Sequence, residues 1–116
     1  AENKGRYKAG DTVLIDFWTN ADCYVYVLNF YGEGKVQCQY SGELAQGRKR
    51  RLTSIAQYGG KPHEVMKFIV SDKPLDVERS LKEVYPAAII KNLRTQAQDL
   101  DARYAEKSVS ILIEAR

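Results

Sequence analysis

Residues 10–40 read GDTVLIDFWTNADCYVYVLNFYGEGKVQCQY, and this stretch decides the fold. Thr12 to Trp18 places Val13, Ile15 and Phe17 at every second position, and Tyr24 to Phe30 repeats the rhythm with Tyr24, Tyr26, Leu28 and Phe30. Period two in β-branched and aromatic residues is the pattern of a strand with one buried face. Gly32-Glu33-Gly34 then supplies residues that tolerate positive φ, and Lys35 to Tyr40 alternates Lys35, Gln37, Gln39 against Val36, Cys38, Tyr40. Three strands follow in succession, the last two as a hairpin with one wet face. With Tyr31 opposite Lys35, Phe30 meets Val36, Leu28 meets Cys38 and Tyr26 meets Tyr40 on one face. Asn29 meets Gln37 and Val27 meets Gln39 on the other.

The same register separates the two cysteines. Cys23 falls opposite residue 43 and Cys38 opposite Leu28, which sets their α-carbons about 16 Å apart at strand spacing. A disulfide spans at most about 7 Å, and the two side chains point to opposite faces. No disulfide is expected.

Beyond the hairpin, residues 41–51 read as a polar loop ending in the basic run Arg48-Lys49-Arg50-Arg51. Leu52 to Gln57 suggests a short strand, Tyr58 to His63 turns through Gly59-Gly60-Lys61-Pro62, and Glu64 to Ser71 forms a strand. Met66, Phe68 and Val70 alternate there with Val65, Lys67 and Ile69, so both faces are largely apolar and the strand belongs in the middle of a sheet. From Leu75 the period changes. Asp76 is placed to cap a helix with Val77, Leu81, Val84 and Tyr85 on one stripe and Pro86 as its stop. A second helix carries Leu93, Ala97, Leu100 and Tyr104 at three- to four-residue steps. Ser108 to Ala115 returns to alternation with Val109, Ile111 and Ile113. Hairpin-linked strands without regular βαβ alternation predict a mainly β chain. The expected architecture is an antiparallel β-sandwich or open barrel of about six to seven strands, with a two-helix insertion over about 75–106 before the last strand.

At 116 residues and 44 % hydrophobic, the chain suits one domain, 1–116, with a core that needs no disulfide or structural metal. Eighteen basic against fifteen acidic side chains leave a net charge of +3, a weak attraction for polyanions that names no partner. No apolar stretch approaches the roughly 20 residues of a membrane-spanning helix; the longest, Ala87 to Ile90, is short. Ala1-Glu2-Asn3-Lys4-Gly5 looks like the polar start of a mature protein after removal of a signal peptide, which sets the expectation of a periplasmic or secreted protein, or one lipid-anchored at full length.

Tyr7, Gly10-Asp11, Val13, Asp22 with Tyr24-Val25-Tyr26-Val27, Gly34, Val36, and later Ser71 with Lys73-Pro74-Leu75 follow one another in an order that resembles the bacterial domain-of-unknown-function family 4384. The resemblance covers Tyr7 to Leu75. It implies a β-rich module of envelope or secreted proteins, often attached to protein kinases, caspase-like peptidases or repeat domains. It implies no chemistry, since the family has no established activity. The chain departs from the family in carrying Cys38-Gln39-Tyr40-Ser41-Gly42 where a Leu-Phe-Pro-Asn-like segment is usual.

Few residues carry a signal for chemistry. Gly32-Glu33-Gly34-Lys35 lacks the glycine spacing, the following Ser or Thr and the helix of a phosphate-binding loop. His63 is the lone histidine, and no close ligand spacing surrounds it or the cysteines, so no metal and no cofactor is expected. Cys23 and Cys38 sit in or beside strands, away from the helix N-termini and cations that activate a thiol. Arg48, Lys49, Arg50 and Arg51 are the sharpest charge feature, four adjacent cations on a loop that can engage phosphates, anionic lipid headgroups or an acidic protein. The nearest aromatics, Tyr40 and Tyr58, lie too far along the chain to interleave with them, which makes nucleic acid the lesser reading. Trp18 ends a strand either as a plug of the sandwich or as an exposed anchor, and eight tyrosines suit a recognition surface. The expected function is a non-catalytic binding or assembly module of the bacterial cell envelope that recognises a protein or glycan partner. A polyanion-binding domain using residues 48–51 is the alternative, and a small cysteine-dependent enzyme the third.

Overall fold

A computed structural model of the chain describes residues 5–32, 34–58, 60 and 62–115. The polar start at residues 1–4, Glu33 of the hairpin turn, and Gly59 and Lys61 of the later turn lie outside the described residues. Among the described residues the chain is mainly β, with β1 Arg6–Lys8, β2 Thr12–Phe17, β3 Cys23–Tyr31, β4 Lys35–Leu44, β5 Arg50–Ile55, β6 His63–Ser71 and β7 Tyr104–Glu114. Two helices, α1 Val77–Ser80 and α2 Pro86–Asp99, form the insertion before the last strand. One sheet has the order β1-β7-β6-β3-β4, and β2 pairs with β5 as a separate two-stranded ribbon. All ladders are antiparallel except β1 with β7.

The period-two rule divides the large sheet between two cores. Val25, Val27, Met66, Phe68, Ile111 and Ile113 face the ribbon and meet Val13, Ile15 and Phe17. Tyr26, Leu28 and Ile69 face the opposite way and lie under Leu75, Val77, Ile89, Ile90, Leu93 and Ala97. The result is a three-layer arrangement of ribbon, sheet and helices. β6 and β3 are interior strands covered on both faces, and for β6 that agrees with its two apolar faces. Tyr26 is buried within the helical side, where its hydroxyl accepts from the Leu75 backbone N–H at 2.7 Å. That bond pins the entry to the insertion onto the central strand.

The hairpin keeps its expected register from Tyr31↔Lys35 to Leu28↔Cys38, and then shifts. Val27 lies opposite Tyr40, Tyr26 opposite Ser41 and Cys23 opposite Leu44, leaving Gln39 as the extra residue of a β-bulge. The expected pairing of Tyr26 with Tyr40 is therefore corrected. The bulge turns Tyr40 to the ribbon side, where its ring meets Phe17 edge-on at 5.3 Å. β4 also continues to Leu44, which is buried, so residues 41–44 are strand rather than loop.

The helices differ from expectation as well. Asp76 caps α1, its Oδ1 accepting from Arg79 N–H at 3.0 Å, but the helix lasts a single turn. Pro86 begins α2 instead of stopping α1: at the first helical position its missing N–H costs nothing and its fixed φ suits the helix. The buried stripe of α2 is accordingly Ile89, Ile90, Leu93, Gln96 and Ala97, while Leu100 is exposed beyond the helix and Tyr104 opens β7. The helix ends with Asp101 at φ 52°, with Ala102 N–H donating to Ala97 O and Asp101 N–H to Gln98 O. This is the left-handed close usually given to glycine.

Candidate functional site

The ribbon covers only part of the large sheet's inner face. Along β3 the inward series Val25, Val27 continues to Asn29 and Tyr31, and along β6 Phe68 and Met66 are followed outward by Glu64. β4 places Gln37 opposite Asn29, with the bulge residue Gln39 beside it. One end of the inner face is therefore polar, and across from it runs the end of the ribbon, Thr53 to Ile55, followed by Gln57. Between them lies an open cleft of about 470 Å³, with Val13, Met66 and Ile113 as apolar floor.

The electrostatics of this cleft centre on one carboxylate. Glu64 is only 6 % exposed, and its Oε1 accepts from Asn29 Nδ2 at 3.1 Å. Burial pushes its carboxyl above the ordinary value, and the Asn29 N–H partly opposes the rise. Among the described residues no cation contributes to holding the charge. Asn29 Oδ1 is buried without a hydrogen-bond partner, and an unmet buried acceptor costs about 1–3 kcal/mol. Gln39 Nε2 donates to Gln37 Oε1 at 3.2 Å, which holds the two amides side by side. Amides that both donate and accept, a carboxylate and an apolar floor suit a small ligand rich in hydroxyl or amino groups.

No family model, curated protein or solved structure matches the chain.

The residues singled out from sequence are distributed elsewhere. Arg48 and Lys49 lie in the connection before β5, whereas Arg50 and Arg51 belong to the strand, opposite Phe17 and Asp16. Successive strand residues point to opposite faces, so the four cations do not form the single loop patch that was expected. Arg51 is held by Asp16 through Nε and Nη2 at 2.7 and 3.0 Å, and this ion pair keeps the Asp16 carboxyl below its ordinary value. Lys49 Nζ sits 5.4 Å over the Trp18 ring. Trp18 is not a plug of the sandwich: the residue is 54 % exposed. It shares the outward side of the ribbon with Leu14 and Ile55, both also exposed.

Both cysteines are free and half-buried on opposite sides of the large sheet, Cys23 toward the ribbon and Cys38 toward the helices. The Cys38 thiol donates to Tyr40 O at 3.4 Å, and burial pushes its pKa up. His63 is exposed at the first residue of β6. Among the described residues no three of His, Cys, Asp and Glu gather in a group that could hold a metal ion. Asn29, Gln37 and Gln39 were readable as the wet face of the hairpin. Glu64 was missed because a carboxylate at a strand start reads as a surface residue, and its burial arises from long-range pairing of β6 with β3 and β7.

Proposed function

We propose that this protein is a non-catalytic binding module of the bacterial cell envelope that takes a glycan into the cleft between ribbon and sheet. The observation that carries the reading is the polar end of an otherwise apolar inner face: buried Glu64 and half-buried Asn29 stand where packing alone would place Val or Ile, beside the amides of Gln39 and the exposed Gln37. Buried polar groups are retained where something hydrogen-bonds to them, and a saccharide offers hydroxyls to the amides and C–H faces to Val13 and Met66. The envelope setting rests on the resemblance of Tyr7 to Leu75 to the family named above.

Binding without bond cleavage is favoured because glycoside hydrolysis ordinarily needs two carboxyl groups flanking the bond, and Glu64 is the one carboxylate among the described residues lining the cleft. A raised thiol pKa at Cys38 likewise counts against a thiolate nucleophile. The dispersal of Arg48, Lys49, Arg50 and Arg51 weighs against a polyanion site. A second reading, a protein partner, is favoured by the outward stripe of Leu14, Trp18 and Ile55 on the ribbon. Calorimetric titration with soluble envelope saccharides tests the leading reading: Gln37→Ala combined with Asn29→Ala should weaken binding at least tenfold while Leu14→Ser leaves it unchanged. The reverse pattern would move the site to the ribbon.

A further inference from the structure

We propose that the cleft selects a sugar bearing a free primary ammonium group, which docks on Glu64 and Asn29. The inference rests on the glycan reading and deepens it. Two acceptors lie on adjacent strands at the polar end of the inner face: the Glu64 carboxylate of β6, and the side-chain oxygen of Asn29 on β3, whose amide N–H is turned onto Glu64 Oε1. Asn29 Oδ1 has no hydrogen-bond donor, and no cation of the described residues helps hold Glu64 ionised. A buried carboxylate stays ionised only with a counter-charge or several strong donors, and the single Asn29 N–H is one neutral donor. A hydroxyl offers one further neutral donor. A primary ammonium offers three charged donors and the counter-charge that the carboxylate lacks, and charge-assisted bonds are roughly twice as strong as neutral ones. Gln37 and Gln39 then remain for the ring hydroxyls, and the cavity volume lies within the range of small-ligand sites. The acidic end of the cleft thus sets which sugar is taken, and the amides set that a sugar is taken.

The test titrates glucosamine, glucose and lysine into the parent protein and into Glu64→Gln near neutral pH, by calorimetry and by backbone amide shifts. Glucosamine should bind the parent at least tenfold more tightly than either glucose or lysine. Glu64→Gln should abolish the preference, bringing glucosamine to within about twofold of glucose measured on the same variant. A Gln37→Ala variant, altered at an exposed position that the fold does not need, should weaken both sugars alike. Equal binding of glucosamine and glucose to the parent, or a preference that survives Glu64→Gln, overturns the ammonium contact while the glycan cleft stands. Lysine binding as tightly as glucosamine overturns selection of a sugar. Absence of shifts at Asn29, Gln37 and Gln39 with both sugars removes the glycan reading and this inference with it.

Discussion

Glu106 on β7 joins three elements, and replacing it by Gln exposes how the helical layer is held to the sheet. Its carboxylate accepts from Arg94 of α2 at 2.6 and 2.8 Å and from Lys67 of β6 at 3.3 Å. The Arg94 guanidinium, aided by Lys67 and opposed by desolvation, holds the carboxyl at about 2 instead of the ordinary 4.5. By linkage such a depression corresponds to about 3 kcal/mol of stability. Arg94 is 56 % exposed, so water screens the pair, and about half of that, ~1.5–2 kcal/mol, is the expected cost of Glu106→Gln at neutral pH. The sign follows from the lowered folded-state pKa. The contribution is complete above about pH 5 and is lost as pH falls through the interval from 4.5 to 2, where the unfolded chain has taken up its proton and the folded parent has not. Urea unfolding of parent and variant at pH 7 and pH 2.5 should show a midpoint gap that largely closes in acid, with unchanged m. A gap below about 0.5 kcal/mol at pH 7, or one that persists in acid, refutes the reasoning.

Other substitutions probe separate joints. Gln96 is buried and clasps the Asp76 backbone, accepting from its N–H at 2.7 Å and donating to its carbonyl at 2.9 Å, so Gln96→Leu should destabilise by about 2–3 kcal/mol in denaturant titration, at roughly 1 kcal/mol per bond lost plus the unmet groups. Asp101→Gly should raise the melting temperature by a few degrees, since glycine adopts the left-handed close of α2 with less strain, a gain of about 0.5–1 kcal/mol. Glu64→Gln should stabilise the unliganded protein at neutral pH, because burial disfavours the ionised carboxyl, and the advantage should vanish as pH drops below the ordinary 4.5. Changing Arg48, Lys49 and Arg50 to Ser should shift stability by no more than about 0.5 kcal/mol, whereas Arg51→Ser should cost up to about 1 kcal/mol through the two-point contact with Asp16.

What the sequence discloses of this fold is what local pattern controls. Alternation in Val13-Ile15-Phe17 and Tyr24 to Phe30 identifies strands and faces, and the switch of period after Leu75 marks the insertion. Boundaries set by competition between signals are less legible. Pro86 is compatible with ending one helix or starting the next, and the buried face of Ile89, Ile90 and Leu93 decides in favour of the start. The bulge at Gln39 carries no local mark; its result is a tertiary contact, Tyr40 edge-on to Phe17 of β2 in place of the pairing with Tyr26. The basic run reads as a loop because cations are common there, yet Arg50 and Arg51 complete a ladder with Phe17 and Asp16. The cleft was half visible. Its amides stood out on the hairpin, but the burial of Glu64 comes from three strands meeting, and no window of sequence contains them.

The central claim is that the polar end of the inner face is a ligand site, and the most direct measurement is residue-resolved NMR of the parent protein titrated with a panel of envelope mono- and disaccharides. The account predicts saturable shifts concentrated at Asn29, Gln37, Gln39, Glu64 and Ser54, with Leu14, Trp18 and the α2 amides unmoved. Saturable shifts confined to Leu14 and Trp18, or none in the cleft with any sugar of the panel, would contradict it.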